Sequence, residues 1–342
     1  MPIQIARVNL HLKKTFAIAK GSADIKSNVL VIRDGKYCGE ASGSVAYGPF
    51  ADELCDSITN GAMNLFRLQY TTLDDLQAVD AVRLIPAAKA ALMGMTVNAV
   101  SGHLNKKPWE MLGLPYPGNV RTTVTFALDD PPVTVKQISE CRYPIVKIKM
   151  GNAQDTELIR LLASVRGKEI RVDANGGWSL EQAEEMIAQL VRIGVRVIEQ
   201  PTSPELVSAW PKLKVNFPQV ELFMDEGMGT VENFARVGQY CDGINIKMAK
   251  CGGILEGIRL AKAAKDAGKK VMLGCMVESS VGIAQAAYMA SLADYFDLDG
   301  PLLLERDIAT GLSYEVEMLR LKQDLIGGPM LNQDVVQKQT TR

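Results

Sequence analysis

Histidine is scarce in this chain, with only His11 and His103 among 342 residues. A three-histidine zinc site is therefore excluded, and a Ser-His-Asp triad has two candidate bases, neither beside a nucleophile motif. Six cysteines (Cys38, Cys55, Cys141, Cys241, Cys251, Cys275) are scattered without a Cys-x-x-Cys pair. A chain of this size needs no disulfide staples, so reduced thiols in a cytoplasm are the expectation. Net charge is also missing: 38 basic residues meet 39 acidic ones, for a formal charge of -1. Such a surface has no long-range field for nucleic acid or an anionic membrane, which points to a small-molecule partner. No run approaches the roughly 18–20 apolar residues that span a bilayer. The opening residues lack the basic stretch and apolar core of an export signal, so a soluble, unexported protein is expected.

Single cores stop growing at roughly 250–300 residues, so 342 residues suggest one large domain and a smaller one. Strand-like runs at 3–12, 28–33 and 36–42 form an antiparallel meander, with Asp34-Gly35 as the last turn. Segments 16–26 and 45–50 mix apolar residues with glycine, as lid loops over a ligand do. Residues 52–112 read as helical, and Pro108, Pro115 and Pro117 then break the chain. Beyond them strand and helix alternate, the mark of a parallel α/β architecture. Eight strands are predicted, at 122–128, 145–150, 170–174, 195–200, 220–225, 243–248, 270–274 and 293–299. Amphipathic segments such as 180–193 and 255–267 intervene, the first opened by a capping box of Ser179 and Gln182. The expected division is an α+β capping domain at 1–115, a (β/α)8 barrel at 116–310 with a weakly marked last unit, and a segment at 311–342 that packs back on the first domain.

Five residues stand at or near the ends of successive barrel strands: Lys149, Asp173, Glu199, Asp225 and Lys247, at intervals of 24, 26, 26 and 22. A closed parallel barrel aims its strand ends at one mouth, so this ladder predicts a shared pocket. In Val146-Lys147-Ile148-Lys149-Met150 both lysines fall on one strand face, a costly placement unless anions lie nearby. One strand-end carboxylate is usually a cap or turn residue; three at this period are not so easily explained. Converging carboxylates repel, and a hard divalent cation resolves the conflict, with Mg²⁺ first and Mn²⁺ second for an all-oxygen ligand set. Lys149 and Lys247 occupy the second and sixth strands of eight, so their amines face each other across that metal.

The motifs Lys147-Ile148-Lys149, Asp173-Ala174-Asn175-Gly176-Gly177-Trp178, Glu199-Gln200-Pro201, Asp225-Glu226 and Asn245-Ile246-Lys247 resemble the enolase superfamily, in its muconate lactonizing enzyme-like subgroup. The resemblance covers nearly the whole chain. It implies a capping domain on a modified (β/α)8 barrel, metal ligands Asp173, Glu199 and Asp225, and catalytic lysines Lys149 and Lys247 assisted by Lys147. Phe296-Asp297-Leu298-Asp299-Gly300-Pro301 looks like the Asp-x-Asp motif of dipeptide epimerases, which implies that Asp297 and Asp299 receive a substrate α-ammonium. The implied reaction moves a proton at the α-carbon of the second residue of a dipeptide. N-acylamino acid racemase, o-succinylbenzoate synthase and cycloisomerase are the alternatives within the subgroup. Family members are often oligomeric, so a homo-oligomer is compatible with the resemblance. Two departures stand out. Ala91-Leu92-Met93-Gly94-Met95 replaces an aspartate-containing helix, and Lys20-Gly21 lies where Ala-Glu epimerases carry a lid arginine, which leaves the second side chain open.

Overall fold

The protein is described by a computed structural model covering residues 3–18, 21–44, 48–118, 120–316, 318–334 and 340–341. Three antiparallel strands begin it, Ile3–Ile18, Gly21–Arg33 and Tyr37–Ala41. Asp34 and Gly35 turn between the last two with φ of 57° and 66°, the left-handed pair that an Asp-Gly hairpin turn requires. The first hairpin is longer than its hydrophobic pattern predicts. After a register shift between His11 and Phe16, residues 16–18 pair again with residues 21–23. The first expected lid segment thus begins as strand, because backbone pairing continues where side-chain alternation lapses. Lys20 and residues 45–47 lie outside the described residues.

The helix Pro86–Leu104 is buried along almost its whole length, wedged between strand Tyr37–Ala41 and the barrel. Gly39 permits this approach, since a Cβ there would collide with the Ala91 carbonyl. All eight expected barrel strands are present: Val124–Phe126, Ile145–Lys149, Glu169–Asp173, Val197–Glu199, Glu221–Met224, Gly243–Lys247, Lys270–Gly274 and Tyr295–Asp297. They pair in sequence order, all parallel. A bridge between Thr122 and Phe296, with the Thr123 N–H donating to the Phe296 carbonyl at 3.3 Å, joins the first strand to the last. Ser179 and Gln182 form the reciprocal capping box that opens helix Leu180–Arg192. After the eighth strand the helix is reduced to Gly300–Leu303, which is why that unit carried so little signal.

The first sheet sits over the barrel mouth through one buried carboxylate. Glu40 accepts hydrogen bonds from the Ser279 and Gly282 N–H groups, the Ser279 hydroxyl and the Asn28 amide. Its neighbour Glu278 is buried too, and Lys26 lies close to both. At the other end of the chain, Thr340–Thr341 pairs with Arg7 and Val8 of the first strand. Among the described residues no helix is long and apolar enough to cross a membrane.

Candidate active site

Strand Ile145–Lys149 is buried on both faces, so its two lysines are largely withdrawn from water. Lys147 is 2% and Lys149 7% exposed. Such ammoniums persist only beside anions. Lys147 Nζ stands 2.5 Å from Asp297 Oδ2, 2.8 Å from Glu199 Oε2 and 3.1 Å from Asp173 Oδ2. It is the hub of the site, linking the second barrel strand to the third, fourth and eighth. Burial opposes its charge, but the carboxylates of Asp297, Glu199 and Asp173 outweigh that and hold its pKa well above the ordinary lysine value.

Lys149 Nζ lies 2.6 Å from Asp173 Oδ2, and on the far side Lys247 Nζ lies 2.9 Å from Asp225 Oδ2. Lys247 is also held well above its ordinary pKa: burial lowers it, and Asp225 and Glu199 more than compensate. The carboxylates respond in kind. Burial raises Asp173 and Asp225, yet adjacent ammoniums, Lys149 and Lys147 for one, Lys247 and Lys250 for the other, hold both below the usual carboxylate range. Glu199 is pushed up to about 7 by burial and by the charge of Asp173.

A ladder that the sequence suggested would need a divalent cation to relieve its repulsion is therefore already interleaved with ammoniums. Among the described residues, no three acidic, histidine or cysteine side chains stand close enough to enclose a metal as they are. The donor chemistry nonetheless suits a hard cation. Asp173, Glu199 and Asp225 offer only oxygen, and nearby Glu226 Oε2 and Asn175 Oδ1 are buried with no hydrogen-bond partner among the described residues.

At the eighth strand, Asp297 accepts from the Thr123 hydroxyl at 2.6 Å and stays below the usual range, because Lys147 outweighs its burial. Asp299 accepts from the Thr125 N–H at 2.5 Å, and burial with the charge of Asp297 pushes it up to about 7. A cleft opens above these groups, and Lys149, Asp225, Lys247, Asp297 and Asp299 all line it. Lys147, Asp173 and Glu199 are joined to these lining residues by ion pairs. All eight residues singled out from the sequence thus meet at one place.

Three further residues were given no role, although Gln200 and Glu226 stand in the quoted motifs. Lys250 Nζ lies 2.7 Å from Asp225 Oδ1 and lines the cleft. It follows Lys247 by one turn of the short helix Met248–Cys251, a spacing that was visible in the sequence. Glu226 lines the cleft as well, its pKa raised by burial and by Asp225. Gln200, fully buried with φ of 42°, accepts from the Asp225 and Glu226 N–H groups at 2.9 and 3.0 Å. Its own amide donates to the Thr202 carbonyl, so the rare backbone conformation is held by contacts on both sides.

Comparison with known proteins bears on this arrangement. Residues 134–313 match the family described as Enolase C-terminal domain-like. The L-Ala-D/L-amino acid epimerase of Maribacter sp. is 31% identical over 91% of this chain and 94% of its own. The chain belongs to the enolase superfamily. The hydrophobic dipeptide epimerase of Roseobacter litoralis is 35% identical over 71% of this chain and 73% of its own. An enolase family member from Agrobacterium tumefaciens with homology to dipeptide epimerases, solved with bound sodium and L-Ala-L-Glu, superposes with a TM-score of 0.85 at 27% identity. It covers 95% of this chain and 99% of its own. The eight-stranded barrel with its antiparallel sheet over the mouth is thus the superfamily's architecture.

Proposed function

We propose that this protein is a dipeptide epimerase, an isomerase that inverts the α-carbon of the second residue of a dipeptide. The observation that carries the reading is one cleft holding two lysines from opposed strands and, at its end, the paired carboxylates of Asp297 and Asp299. The relatives named for dipeptide epimerisation support the same reading.

In this mechanism Asp297 and Asp299 receive the α-ammonium of the substrate, a charge-assisted contact that an N-acylated substrate lacks. Asp299, with the weaker hold on its charge, gains most from that cation. The Lys149 amine takes the α-proton on one face, leaving the electron pair in an enediolate, and Lys247 returns a proton from the other face. Reversal of the two roles converts the product enantiomer. Lys147 remains an ammonium and holds Asp173, Glu199 and Asp297 in place. Asp173, Glu199 and Asp225 would hold Mg²⁺, with Mn²⁺ the second choice. When bound, such a cation would supply positive charge that stabilises the electron pair left by removal of the α-proton.

The test is incubation of a dipeptide library in deuterated water with Mg²⁺, followed by mass and chirality. Deuterium should enter the second residue's α-position as its configuration scrambles. Lys149→Ala and Lys247→Ala should each abolish epimerisation, and one of them should still exchange the proton of a single enantiomer. Turnover of an N-acylamino acid with no α-exchange in any dipeptide refutes the reading.

A further inference from the structure

Gln200 holds a backbone conformation that its residue type does not favour. Its φ of 42° lies in the left-handed region, where glycine is at ease and a glutamine is strained. What accompanies the strain is a junction between three strand ends. The Gln200 N–H donates to the Phe223 carbonyl at 2.9 Å, and the Gln200 carbonyl accepts from the Gly176 N–H at 2.8 Å. The side-chain oxygen accepts from the Asp225 and Glu226 N–H groups at 2.9 and 3.0 Å, and the side-chain nitrogen donates to the Thr202 carbonyl at 2.9 Å. Gly176 lies just past Asp173, Thr202 just past Glu199, and Phe223 just before Asp225. The backbone and side chain of one buried residue are thus engaged by the segments that carry all three carboxylates.

Asp225 depends most on this junction. The fifth strand ends at Met224, which pairs with Ile244 of the sixth, so the Asp225 and Glu226 amides lie beyond the sheet ladder. The Gln200 side chain takes the place of a further strand residue and gives those buried amides an acceptor. A glycine would adopt this φ without strain but has no side-chain oxygen, and a side chain there for packing alone needs no oxygen either. Mg²⁺ demands near-ideal octahedral geometry, so the direction of each carboxylate matters to its binding. Resting on the reading of Asp173, Glu199 and Asp225 as Mg²⁺ ligands, we infer that Gln200 is a positioning residue for the metal site. It fixes the backbone from which the Asp225 carboxylate projects and ties it to the strand ends of the other two.

Two variants with opposite defects test this. Gln200→Gly suits the backbone and leaves a space, whereas Gln200→Met keeps the volume and the strain; neither has the side-chain oxygen. Calorimetric titration of Mg²⁺ into the metal-free full-length protein should give a dissociation constant about ten- to a hundredfold weaker for both than for the parent. Far-UV circular dichroism and a cooperative thermal transition establish that each protein titrated is folded, and if one variant fails to fold the other decides. A role in packing alone would lower Tm and leave the Mg²⁺ affinity where it was. Parental affinity in either folded variant therefore overturns the inference and leaves the metal reading standing. A parent that binds no Mg²⁺ removes both.

Discussion

Replacing Lys147 with methionine tests whether the buried hub holds the site together. The substitution keeps most of the aliphatic volume and deletes an ammonium that lies 2.5, 2.8 and 3.1 Å from three carboxylates. Removing one partner of a buried ion cluster costs about 3–5 kcal/mol, because the remaining charges stay desolvated without compensation. With an unfolding entropy of about 2.1 cal/mol/K per residue, a chain of 342 residues should lose about 4–7 °C in Tm. The sign with pH follows from Lys147 being held well above its ordinary 10.5. Its stabilisation is fully present below that value and is lost only as pH rises through the higher folded one. The lysine itself therefore adds no pH dependence below that value, and the deficit should shrink as pH falls from 9 toward 5, as the orphaned carboxylates, with Glu199 already at about 7 beside Lys147, take up protons in place of the missing cation. Mg²⁺ should raise the Tm of the variant by more than that of the parent, since it supplies the charge that the substitution removed. Differential scanning calorimetry in metal-free buffer, then with Mg²⁺, reads all three. A Tm within about 1 °C of the parent at pH 8 refutes the reasoning.

Asp299→Asn keeps the shape of the ammonium receptor and removes its charge, so kcat/KM for dipeptides should fall by about 1.5–3 kcal/mol, or ten- to more than a hundredfold; steady-state kinetics check this. Chelation should abolish activity and added Mg²⁺ restore it, followed by chiral assay of one dipeptide. Glu278 is pushed up to about 8 from an ordinary 4.5, first by burial and then by the charge of Glu40. The folded state therefore keeps a proton that the unfolded state releases between those values, and stability falls as pH rises through the window. Glu278→Gln removes this contribution, so the Tm of the variant relative to the parent should climb between pH 5 and pH 8; a flat difference in a thermal-shift series refutes it.

Much of the barrel was legible because repetition amplifies weak signals. Each short apolar run was ambiguous alone, yet eight of them alternating with amphipathic segments leave one economical closure. The ladder from Lys149 to Lys247 was legible for the same reason, since strand ends at a fixed period must share a mouth. Other features depend on contacts that no local pattern records. Lys147 meets Asp297 across 150 residues only because the last strand closes on the first. Gln200 stood in a quoted motif beside Glu199 without a role, since that role is to receive two backbone N–H groups of the next strand's loop. Lys250 could have been noticed one helical turn after Lys247, but its pairing with Asp225 depends on the chain turning into helix Met248–Cys251 just past the strand. The first hairpin ran past its hydrophobic alternation because backbone hydrogen bonds do not require it.

By itself the sequence determined which groups could act. Lysines and carboxylates at a strand-plus-helix period fix the chemistry available at the mouth, and the scarcity of histidine removes its rivals. Only the tertiary structure decided how those charges neutralise one another, with Lys147 taken up as a three-way counterion. The physical reason is that periodicity specifies direction along a strand, whereas electrostatic balance depends on distances of a few ångströms between strands far apart in the chain.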